Sequence, residues 1–252
     1  FNEYEVNTCF HLAAQAIVSV ANRSPLSTFE SNIKGTWNVL EAARNAKTLE
    51  RVIVASSDKA YGEHDKLPYT EEFCLNASHP YDASKACVDI LARTYFNTYD
   101  LSVGVARCAN IYGGGDLNFS RIIPDTIRSV LFDKNPIIRS DGTPVRDYMY
   151  VADAVNAYLT LAERLEKVKG EAFNFGTNSP VSVLELVNKI IKISGKTHLR
   201  PVIKNEAKGE INRQYLSSEK AGKMLGWKPK YDLDKGLKET IAWYKKYFKV
   251  RR

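Results

Sequence analysis

The segment RVIVASSDKAYG, residues 51–62, decides the fold that we expect for this chain. Its first five residues are Arg51 and then a short apolar run rich in β-branched side chains, which is typical of a buried parallel strand. A hydroxyl and a carboxylate, on Ser57 and Asp58, follow this run directly. Because ligands in open α/β sheets bind beyond the carboxyl ends of the strands, we expect these side chains to lie at a binding site.

A second segment, YDASK at residues 81–85, opens a long helical pattern. Tyr81 and Lys85 are four residues apart and therefore lie on one face of a helix. An ammonium group held near a phenol favours the phenolate, which moves a tyrosine towards use as a base near neutral pH. The spacing alone is common by chance, and a surface lysine beside a half-buried tyrosine is the alternative. The order of strand, Ser-Ser-Asp-Lys and then this helix favours a catalytic site.

Together these segments resemble the extended short-chain dehydrogenase/reductases, the NAD-dependent family of nucleotide-sugar epimerases and dehydratases. The resemblance extends over nearly all of the 252 residues. It implies an α/β fold, a Rossmann-type doubly wound parallel sheet with a smaller C-terminal α+β lobe for the substrate. It also implies NAD as the cofactor. The catalytic residues implied are Ser57, Asp58, Lys59, Tyr81 and Lys85.

The cofactor side of the predicted site starts with the segment TCFHLAAQ, residues 8–15. It is typical of a buried strand that runs into a turn of small residues, which let the backbone approach a ligand closely. A strand that simply ends in a tight turn is the alternative. In the family a similar element lines the dinucleotide, and the segment NIKGT at 32–36 resembles the family's NxxGT. The resemblance implies cofactor contacts by Leu12, Ala13, Ala14, Gln15, Asn32, Ser56, Tyr81 and Lys85.

The start of the chain departs from the family pattern. A dinucleotide-binding fold begins with a strand, a glycine-rich turn and a helix whose N-terminus takes the pyrophosphate. No GxGxxG or GxxGxxG pattern precedes Phe10, and the acidic residue that would hold the adenosine ribose is also absent. We therefore expect that the chain lacks an N-terminal segment of roughly 60–70 residues, the size of two βα units and a strand.

Residues expected to bind the sugar nucleotide follow later in the chain. Asn110 opens NIYGGGD, which is similar to a family segment that contacts the substrate, although three glycines also suit a flexible turn. Arg146 opens RDYMYVAD, which resembles the family's RDY(I/V)-x-V-x-D, and a planar guanidinium suits phosphate oxygens. A lone arginine in a strand is otherwise usually a surface ion-pair partner. The resemblance implies substrate contacts by Asn110, Arg121, Arg146 and Arg213.

The two lobes are expected to interleave along the chain, because no repeat or low-complexity linker separates them. Residues 1–112 and 147–176 are assigned to the N-terminally truncated dinucleotide-binding part. Residues 113–146 and 177–252 are assigned to the nucleotide-sugar-binding lobe. Within that lobe, SDGT at residues 140–143 predicts a hairpin-type turn.

Composition limits the other function classes. The net charge of +7 is concentrated in the last third, where lysines on amphipathic segments indicate a solvated face and not nucleic-acid binding. The sequence has no run of about 18 apolar residues, so no membrane span is expected. The four cysteines show no metal-ligand spacing, and their apolar settings predict buried free thiols in a cytoplasmic protein. The family also implies a homodimer, formed through the helices that hold Tyr81 and Trp37.

The residues after Ser57 separate the reaction types of the family. A 4-epimerase needs only the tyrosine base and the cofactor, and epimerases typically carry small residues where this chain has Asp58 and Lys59. A 4,6-dehydratase must also expel the C6 hydroxyl and remove the C5 proton, so it needs an extra acid and an extra base. Asp-Lys resembles the CDP-glucose 4,6-dehydratases, whereas the commoner dTDP-glucose enzymes have Asp-Glu. The resemblance therefore implies a lyase, a nucleotide-sugar 4,6-dehydratase, in nucleotide-sugar metabolism for cell-surface polysaccharide. A 4-epimerase and a non-catalytic sugar-nucleotide-binding fragment are the alternatives.

Overall fold

The structure is a computed structural model that describes residues 1–207 and 211–250; residues 208–210 and 251–252, part of the predicted second lobe, lie outside the described residues. The strands are β1 Thr8–His11, β2 Arg51–Ser57, β3 Val103–Cys108, β4 Asn110–Tyr112, β5 Ile137–Ile138, β6 Val145–Arg146, β7 Tyr148–Tyr150, β8 Ala172–Phe175, β9 Val181–Ser182, β10 Val202–Ile203 and β11 Arg213–Gln214. The α-helices are α1 Val18–Arg23, α2 Pro25–Phe29, α3 Gly35–Arg44, α4 Pro80–Tyr99, α5 Ile122–Leu131, α6 Val151–Arg164, α7 Val183–Ile193, α8 Glu219–Leu225 and α9 Leu233–Tyr247.

Shorter helical segments join several of these elements. Asn2–Tyr4, Asp58–Tyr61 and Leu165–Lys167 are 3-10 helices. Glu30–Lys34 is a π-helical turn that connects α2 to α3, so that the chain is helical from Pro25 to Arg44.

The chain forms two compact units, of which the first comprises Phe1–Ala109, Val155–Phe175 and Leu216–Lys228. Its centre is a sheet of four parallel strands in the order β1-β2-β3-β8. Parallel neighbours require long crossover connections, and α3 and α4 provide those that follow β1 and β2. The expected α/β fold with a parallel sheet is confirmed.

Helices cover both faces of this sheet. On one face the valines of β2 and β3 pack with Leu40 of α3 and Val88 of α4. Successive side chains of a strand point to opposite faces, so Gly104 of β3 faces the other way. A Cβ atom at Gly104 would lie 2.8 Å from Leu165, which follows α6 directly. The glycine therefore allows this second layer to approach, and both faces are buried, as parallel sheets require.

The second unit comprises Asn110–Ala154, Gly176–Tyr215 and Pro229–Arg252. Its strands are short and pair as β4 with β7, β5 with β10, and β6 with both β9 and β11. Its core is formed by α5, α7 and α9, where Ile127, Ile190 and Tyr244 are fully buried. Helix α7 begins at a capping box between Ser182 and Glu185, which satisfies two orphan N–H groups at its start.

The hairpin predicted at residues 140–143 is wrong. In the described part of the chain β5 and β6 do not pair with each other, because each bonds to segments that lie far away in the sequence. The turn is instead stabilised locally, since the N–H groups of Gly142 and Thr143 donate to Ser140 and Asp141 respectively.

The boundaries of the two units differ from the predicted ones by three residues or fewer at 110–112 and at Gly176, which lie in the second unit, and by more in two longer segments. Residues 147–154 lie in the second unit and residues 216–228 in the first. All residues predicted to be catalytic or to contact the cofactor lie in the first unit, and all those predicted to bind substrate lie in the second. The assignment of a ligand to each unit stays a prediction.

The expectation of four buried thiols is wrong for three of them. Cys74 is exposed, Cys9 and Cys87 are partly exposed, and Cys108 is buried. Cys108 ends β3, which is buried along its whole length, whereas Cys74 lies in the loop before α4. All four are free thiols.

Two further features concern the described residues as a whole. None of the helices described is both long enough and apolar enough to cross a membrane. The same part of the chain holds no group of three or more His, Cys, Asp or Glu side chains placed to bind a metal ion.

Candidate active site

The carboxyl end of β2 brings a hydroxyl and a carboxylate together. Ser57 is the last residue of the strand, and its Oγ accepts a hydrogen bond from the N–H of Lys59 at 3.2 Å. The hydroxyl in turn donates to Oδ1 of Asp58 at 3.0 Å. Asp58 is almost fully buried. Ser57 thus caps the 3-10 helix that starts at Asp58, and this cap holds both side chains at the strand end where ligands of α/β sheets bind.

A glycine fixes the other end of this short helix. Gly62 follows Tyr61 with φ of +67°, a conformation that favours glycine, and it forms a β-bridge with Asn76. A Cβ atom at Gly62 would lie only 1.9 Å from the carbonyl oxygen of Asn76. The turn bearing Asp58 and Lys59 is therefore held at both ends, and at Gly62 only a residue without a side chain fits.

Lys85 lies beneath the same strand end. Its ammonium group donates to the carbonyl oxygen of Ala55 at 2.7 Å, and the side chain is only 5% exposed. Burial lowers the pKa of Lys85 to about 8. The backbone carbonyl of Lys85 also accepts a hydrogen bond from Ser56 at 3.4 Å. Helix α4, which begins at Pro80 and carries Tyr81, is therefore bonded to β2 through Lys85.

The predicted cofactor residues are joined to α4 by a chain of hydrogen bonds. The N–H of Gln15 donates to Oδ1 of Asn32 at 2.7 Å, and Nδ2 of Asn32 donates back to the carbonyl of Gln15 at 3.0 Å. The same amide donates to Ser84 at 2.8 Å, and Ser84 donates to the carbonyl of Tyr81 at 2.7 Å. Leu12 and Ala13, at the start of this loop, are exposed. The loop after β1 is thus tied to the helix that carries the tyrosine.

His11 and Thr36 join this network, although the sequence did not indicate it. The Thr36 hydroxyl donates to the carbonyl of Asn32 at 2.6 Å, so it can only accept from Nε2 of His11, 2.9 Å away. The imidazole is therefore the Nε2–H tautomer. Burial lowers the pKa of His11, and the nearby charge of Lys85 lowers it further. The position of His11, directly before the turn of small residues, was the one sequence feature that could have indicated this role.

The sequence analysis also did not predict a buried ion pair between β3 and α4. Nε and Nη2 of Arg107 donate to the two carboxylate oxygens of Asp89 at 2.7 and 2.8 Å. Nη1 donates to the hydroxyl of Tyr61 at 2.7 Å, and that hydroxyl donates to Asn174 at 2.8 Å. Tyr61 ends the 3-10 helix that starts at Asp58, so this pair helps to position the Asp58–Lys59 turn. A single arginine inside an apolar strand was the signal for it.

The residues predicted to bind the substrate lie in the second unit. Nδ2 of Asn110 donates to the carbonyl of Asp147 at 3.2 Å. Nη1 of Arg146 donates to the carbonyl oxygens of Val145 and Asn212 at 2.8 and 3.1 Å, next to Arg213. The structure therefore brings Arg146 and Arg213 together.

The remaining guanidinium groups are also engaged with this unit. Arg121 forms a salt bridge with Asp116 at 3.1 Å. Arg213 donates to the hydroxyl of Tyr215 at 3.4 Å. A phosphate role for these arginines stays a prediction.

A parallel sheet with a Ser-Asp-Lys turn beside a tyrosine–lysine helix places the chain in a class of enzymes, the short-chain dehydrogenase/reductases. The family model described as GDP-mannose 4,6 dehydratase matches residues 1–240. The chain therefore belongs to this family of NAD-dependent nucleotide-sugar epimerases and dehydratases, and the expected resemblance is confirmed.

Curated relatives include both reaction types. The dTDP-glucose 4,6-dehydratase 1 of Escherichia coli (strain K12) is 30% identical over 97% of this chain and 74% of that protein. The CDP-glucose 4,6-dehydratase of Salmonella typhimurium is 28% identical over 98% of this chain and 73% of that protein. A putative UDP-glucose 4-epimerase of Methanocaldococcus jannaschii is 33% identical over 97% and 79% respectively. These identities support a sugar-nucleotide dehydratase or epimerase and do not separate CDP from dTDP.

Solved structures agree with this placement. The UDP-glucose 4-epimerase of Thermotoga maritima, solved with UDP-glucose, matches with a TM-score of 0.90 and 32% identity over 96% of this chain and 78% of that one. The dTDP-glucose 4,6-dehydratase of Bacillus anthracis str. Ames, solved with NAD, matches with a TM-score of 0.85 and 30% identity over 98% and 75% respectively. The chain thus spans about three quarters of the length of these proteins.

Proposed function

We propose that the protein is a nucleotide-sugar 4,6-dehydratase that converts an NDP-glucose, with CDP-glucose as the leading candidate, to the 4-keto-6-deoxy sugar. The observation that carries this proposal is the buried carboxyl of Asp58, bonded to Ser57 and followed by Lys59 at the end of β2. A 4-epimerase has no step that uses such an acid, because its hydride leaves C4 and returns to C4. The Asp-Lys pair supports CDP-glucose through its resemblance to the enzymes for that substrate.

The residues present fit the nicotinamide end of NAD. The Lys85 ammonium has three hydrogens and donates one hydrogen bond to the described residues, so it retains capacity for ligand hydroxyl groups. Asn32 and Gln15 hold the loop after β1 in place, and Leu12 and Ala13 of this loop are exposed. NAD, when bound, accepts a hydride from the sugar and returns it. The residues proposed to hold it are Leu12, Ala13, Ala14, Gln15, Asn32, Ser56, Tyr81 and Lys85.

Proton transfers are assigned to the residues at the end of β2 and the start of α4. Tyr81 takes the proton of the C4 hydroxyl of the sugar. Ser57 assists by forming a hydrogen bond with the same hydroxyl. Because burial lowers the pKa of Lys85 only to about 8, its ammonium still carries a charge at neutral pH and favours the phenolate. The keto group at C4 acidifies the hydrogen at C5, and water then leaves across C5 and C6. Asp58 is the acid for the leaving hydroxyl, and Lys59 assists it.

Binding of the sugar nucleotide is assigned to the second unit. Asn110 and the arginines at 121, 146 and 213 lie in that unit, where Arg146 is bonded to the backbone just before Arg213. Guanidinium groups are suited to diphosphate oxygens. We also propose a cytoplasmic homodimer that forms through α3 and α4, whose Trp37 and Ile90 are 43% and 56% exposed. Sedimentation equilibrium tests this, and a monomer at all concentrations contradicts it.

The mass of the product tests the proposed function. The protein is incubated with NAD and, separately, with CDP-, dTDP-, UDP- and GDP-glucose. Loss of one water from one of these substrates is the expected result, and the responding nucleotide identifies the substrate. For Asp58→Asn we expect loss of dehydration with some C4 oxidation retained, seen as absorbance of bound NADH. Full turnover of this variant contradicts the role of Asp58.

A 4-epimerase is the second candidate, and the similarity to the Thermotoga maritima UDP-glucose 4-epimerase favours it. An unchanged product mass with altered stereochemistry at C4 identifies that reaction and excludes the dehydratase. In that case Asp58 and Lys59 serve the scaffold of the turn. No change with any of the four sugar nucleotides contradicts both enzyme proposals and favours a sugar-nucleotide-binding role.

A further inference from the structure

A second buried carboxyl lies beside the proposed site. Asp82 follows Tyr81 in the first turn of α4 and is only 4% exposed. Its carboxyl forms no hydrogen bond or ion pair with any other residue in the described part of the chain. Burial raises its pKa, while the charges of Lys59 and His79 lower it and that of Asp58 raises it. A carboxyl that is so little exposed and follows the proposed base directly is a candidate for contact with a ligand or for a part in the reaction.

Packing places Asp82 with the groups assigned to the elimination. Helix α4 packs against the 3-10 helix Asp58–Tyr61, so that Asp82 lies close enough for the charges of Lys59 and Asp58 to act on its carboxyl. Elimination of water requires an acid for the leaving oxygen and a base for the carbon-bound hydrogen. The Asp-Lys sequence supplies only one carboxyl for these two roles. Asp82 is the second carboxyl, and the ammonium of Lys59 favours its anionic form.

We propose that Asp82 is a further catalytic residue, the base that removes the proton from C5 of the sugar. This inference rests on the proposed dehydratase function. The C5–H bond breaks and its proton goes to the Asp82 carboxylate, while its electron pair forms the C5–C6 double bond. The C6–O bond breaks, and Asp58 gives its proton to the departing oxygen, which leaves as water.

The proton balance closes over the cycle. When the hydride returns to C6, Asp82 gives a proton back to C5. Tyr81 has by then gained one proton from the C4 hydroxyl and Asp58 has lost one, and exchange with solvent restores both. The net change is the release of one water, with NAD regenerated.

A purely structural role for Asp82 is the competing explanation, because carboxylates in the first turn stabilise helices through the helix dipole. The two roles predict opposite changes in stability. Because burial disfavours a charged carboxylate at this position, its replacement in Asp82→Asn leaves the melting temperature unchanged or raises it. Loss of a helix-stabilising charge lowers it. Glu219→Gln, which removes an exposed acid from the first turn of α8 in the same unit, is the matched control.

Deuterium incorporation tests the proposal directly. The reaction is run in D2O with NAD and the responding NDP-glucose, and C5 of the product and of the recovered substrate is analysed by mass spectrometry and NMR. The wild-type protein places deuterium at C5 of the product. Asp82→Asn retains C4 oxidation, seen as NADH absorbance, but both its loss of water and its deuterium incorporation at C5 are slower by about 10²-fold or more. Asp82→Glu, which keeps a carboxyl, recovers part of the exchange.

The outcomes separate this inference from the function on which it rests. Exchange at C5 in Asp82→Asn at the wild-type rate overturns the role of Asp82 and leaves the dehydratase standing. A joint fall of C4 oxidation, water loss and melting temperature also overturns it, because it indicates a structural role. If the wild-type protein releases no water from any of the four substrates, the proposed function itself fails.

Discussion

The first unit contains two sets of buried charged side chains that are satisfied to very different degrees. Arg107 and Asp89 are 1% and 0% exposed and share two hydrogen bonds, while Tyr61 accepts a third from the guanidinium. Lys85 is nearly as buried but forms one hydrogen bond, to the carbonyl of Ala55. Asp82, on the same helix, forms none with the described residues.

The pKa shifts show the same contrast. Burial alone lowers the pKa of Arg107, but the hydrogen bonds and the charge of Asp89 outweigh it, so the guanidinium is held fully charged. At Lys85 no carboxylate opposes burial, and the pKa falls to about 8. A buried charge with all its partners in the protein supports the structure, whereas one without them is available to a ligand.

The largest expected effect concerns Tyr81, which lies on the same helix as Lys85 and Asp82. Tyr81→Phe removes the proposed base, so kcat for dehydration is expected to fall by about 10²–10⁴-fold with little change in melting temperature. Tyr99→Phe, which alters an exposed tyrosine at the end of α4, is the control and leaves kcat unchanged. Product formation measured by mass spectrometry checks both. Near-wild-type turnover in Tyr81→Phe contradicts the assignment.

The satisfied pair is expected to control stability. Arg107→Met leaves Asp89 buried without its partner and lowers the free energy of unfolding by about 3–5 kcal/mol. Adding Asp89→Leu removes the orphaned charge and restores most of that loss. Urea unfolding of the two variants measures the difference. A cost below about 1 kcal/mol for Arg107→Met would show that the pair does not anchor the sheet.

The charge of Lys85, in contrast to that of Arg107, is expected to lower the stability of the folded protein at neutral pH. A lowering of the pKa from 10.5 to about 8 corresponds to about 3 kcal/mol. Below pH 8 both the folded and the unfolded chains carry this proton, so the folded protein bears the full cost of the buried charge. Lys85→Met should therefore be more stable than the wild type at pH 7 without ligand, by at most that amount. Loss of the bond to Ala55 offsets part of the gain.

The pH dependence sharpens this prediction. Between about pH 8 and 10.5 the folded wild type has lost the proton and the unfolded chain still holds it, so wild-type stability rises with pH. The advantage of Lys85→Met should shrink over that window. Urea unfolding at pH 7 and pH 9.5 measures it. An advantage that stays constant, or a variant less stable at pH 7, refutes the depressed pKa.

The smallest expected effect tests the hydrogen bonds that join the loop after β1 to helix α4. Ser84→Ala removes the hydrogen bonds with Asn32 and with the carbonyl of Tyr81, at a cost of about 1 kcal/mol in unfolding free energy. Affinity for NAD, measured by calorimetry, should weaken because the loop after β1 is no longer tied to α4. Thr94→Ala, which loses one exposed hydrogen bond on the same helix, should leave NAD affinity as it is. Equal affinities in both variants argue against the link.

The parallel sheet and the strand-end residues were predictable because they depend on local patterns. An apolar run predicts β2, and the spacing of Tyr81 and Lys85 predicts one face of α4. The hairpin at 140–143 was wrong because strands of two residues take their register from distant partners. The partners of Arg107 are 18 and 46 residues away in the sequence, so no local pattern indicates them. Asp82 was overlooked for a similar reason, since its burial depends on packing against another element.

The π-helical turn Glu30–Lys34 limits the insertions and deletions that this part of the chain can accept. Asn32 lies inside this turn and bonds to Gln15 and Ser84, while Thr36 lies just beyond it and bonds to His11. Each residue added to or removed from a helix turns everything before it by about 100° relative to everything after it. A one-residue deletion here would restore a regular helix but point Asn32 away from its partners. This stretch should therefore tolerate neither insertions nor deletions, unlike the loops around it.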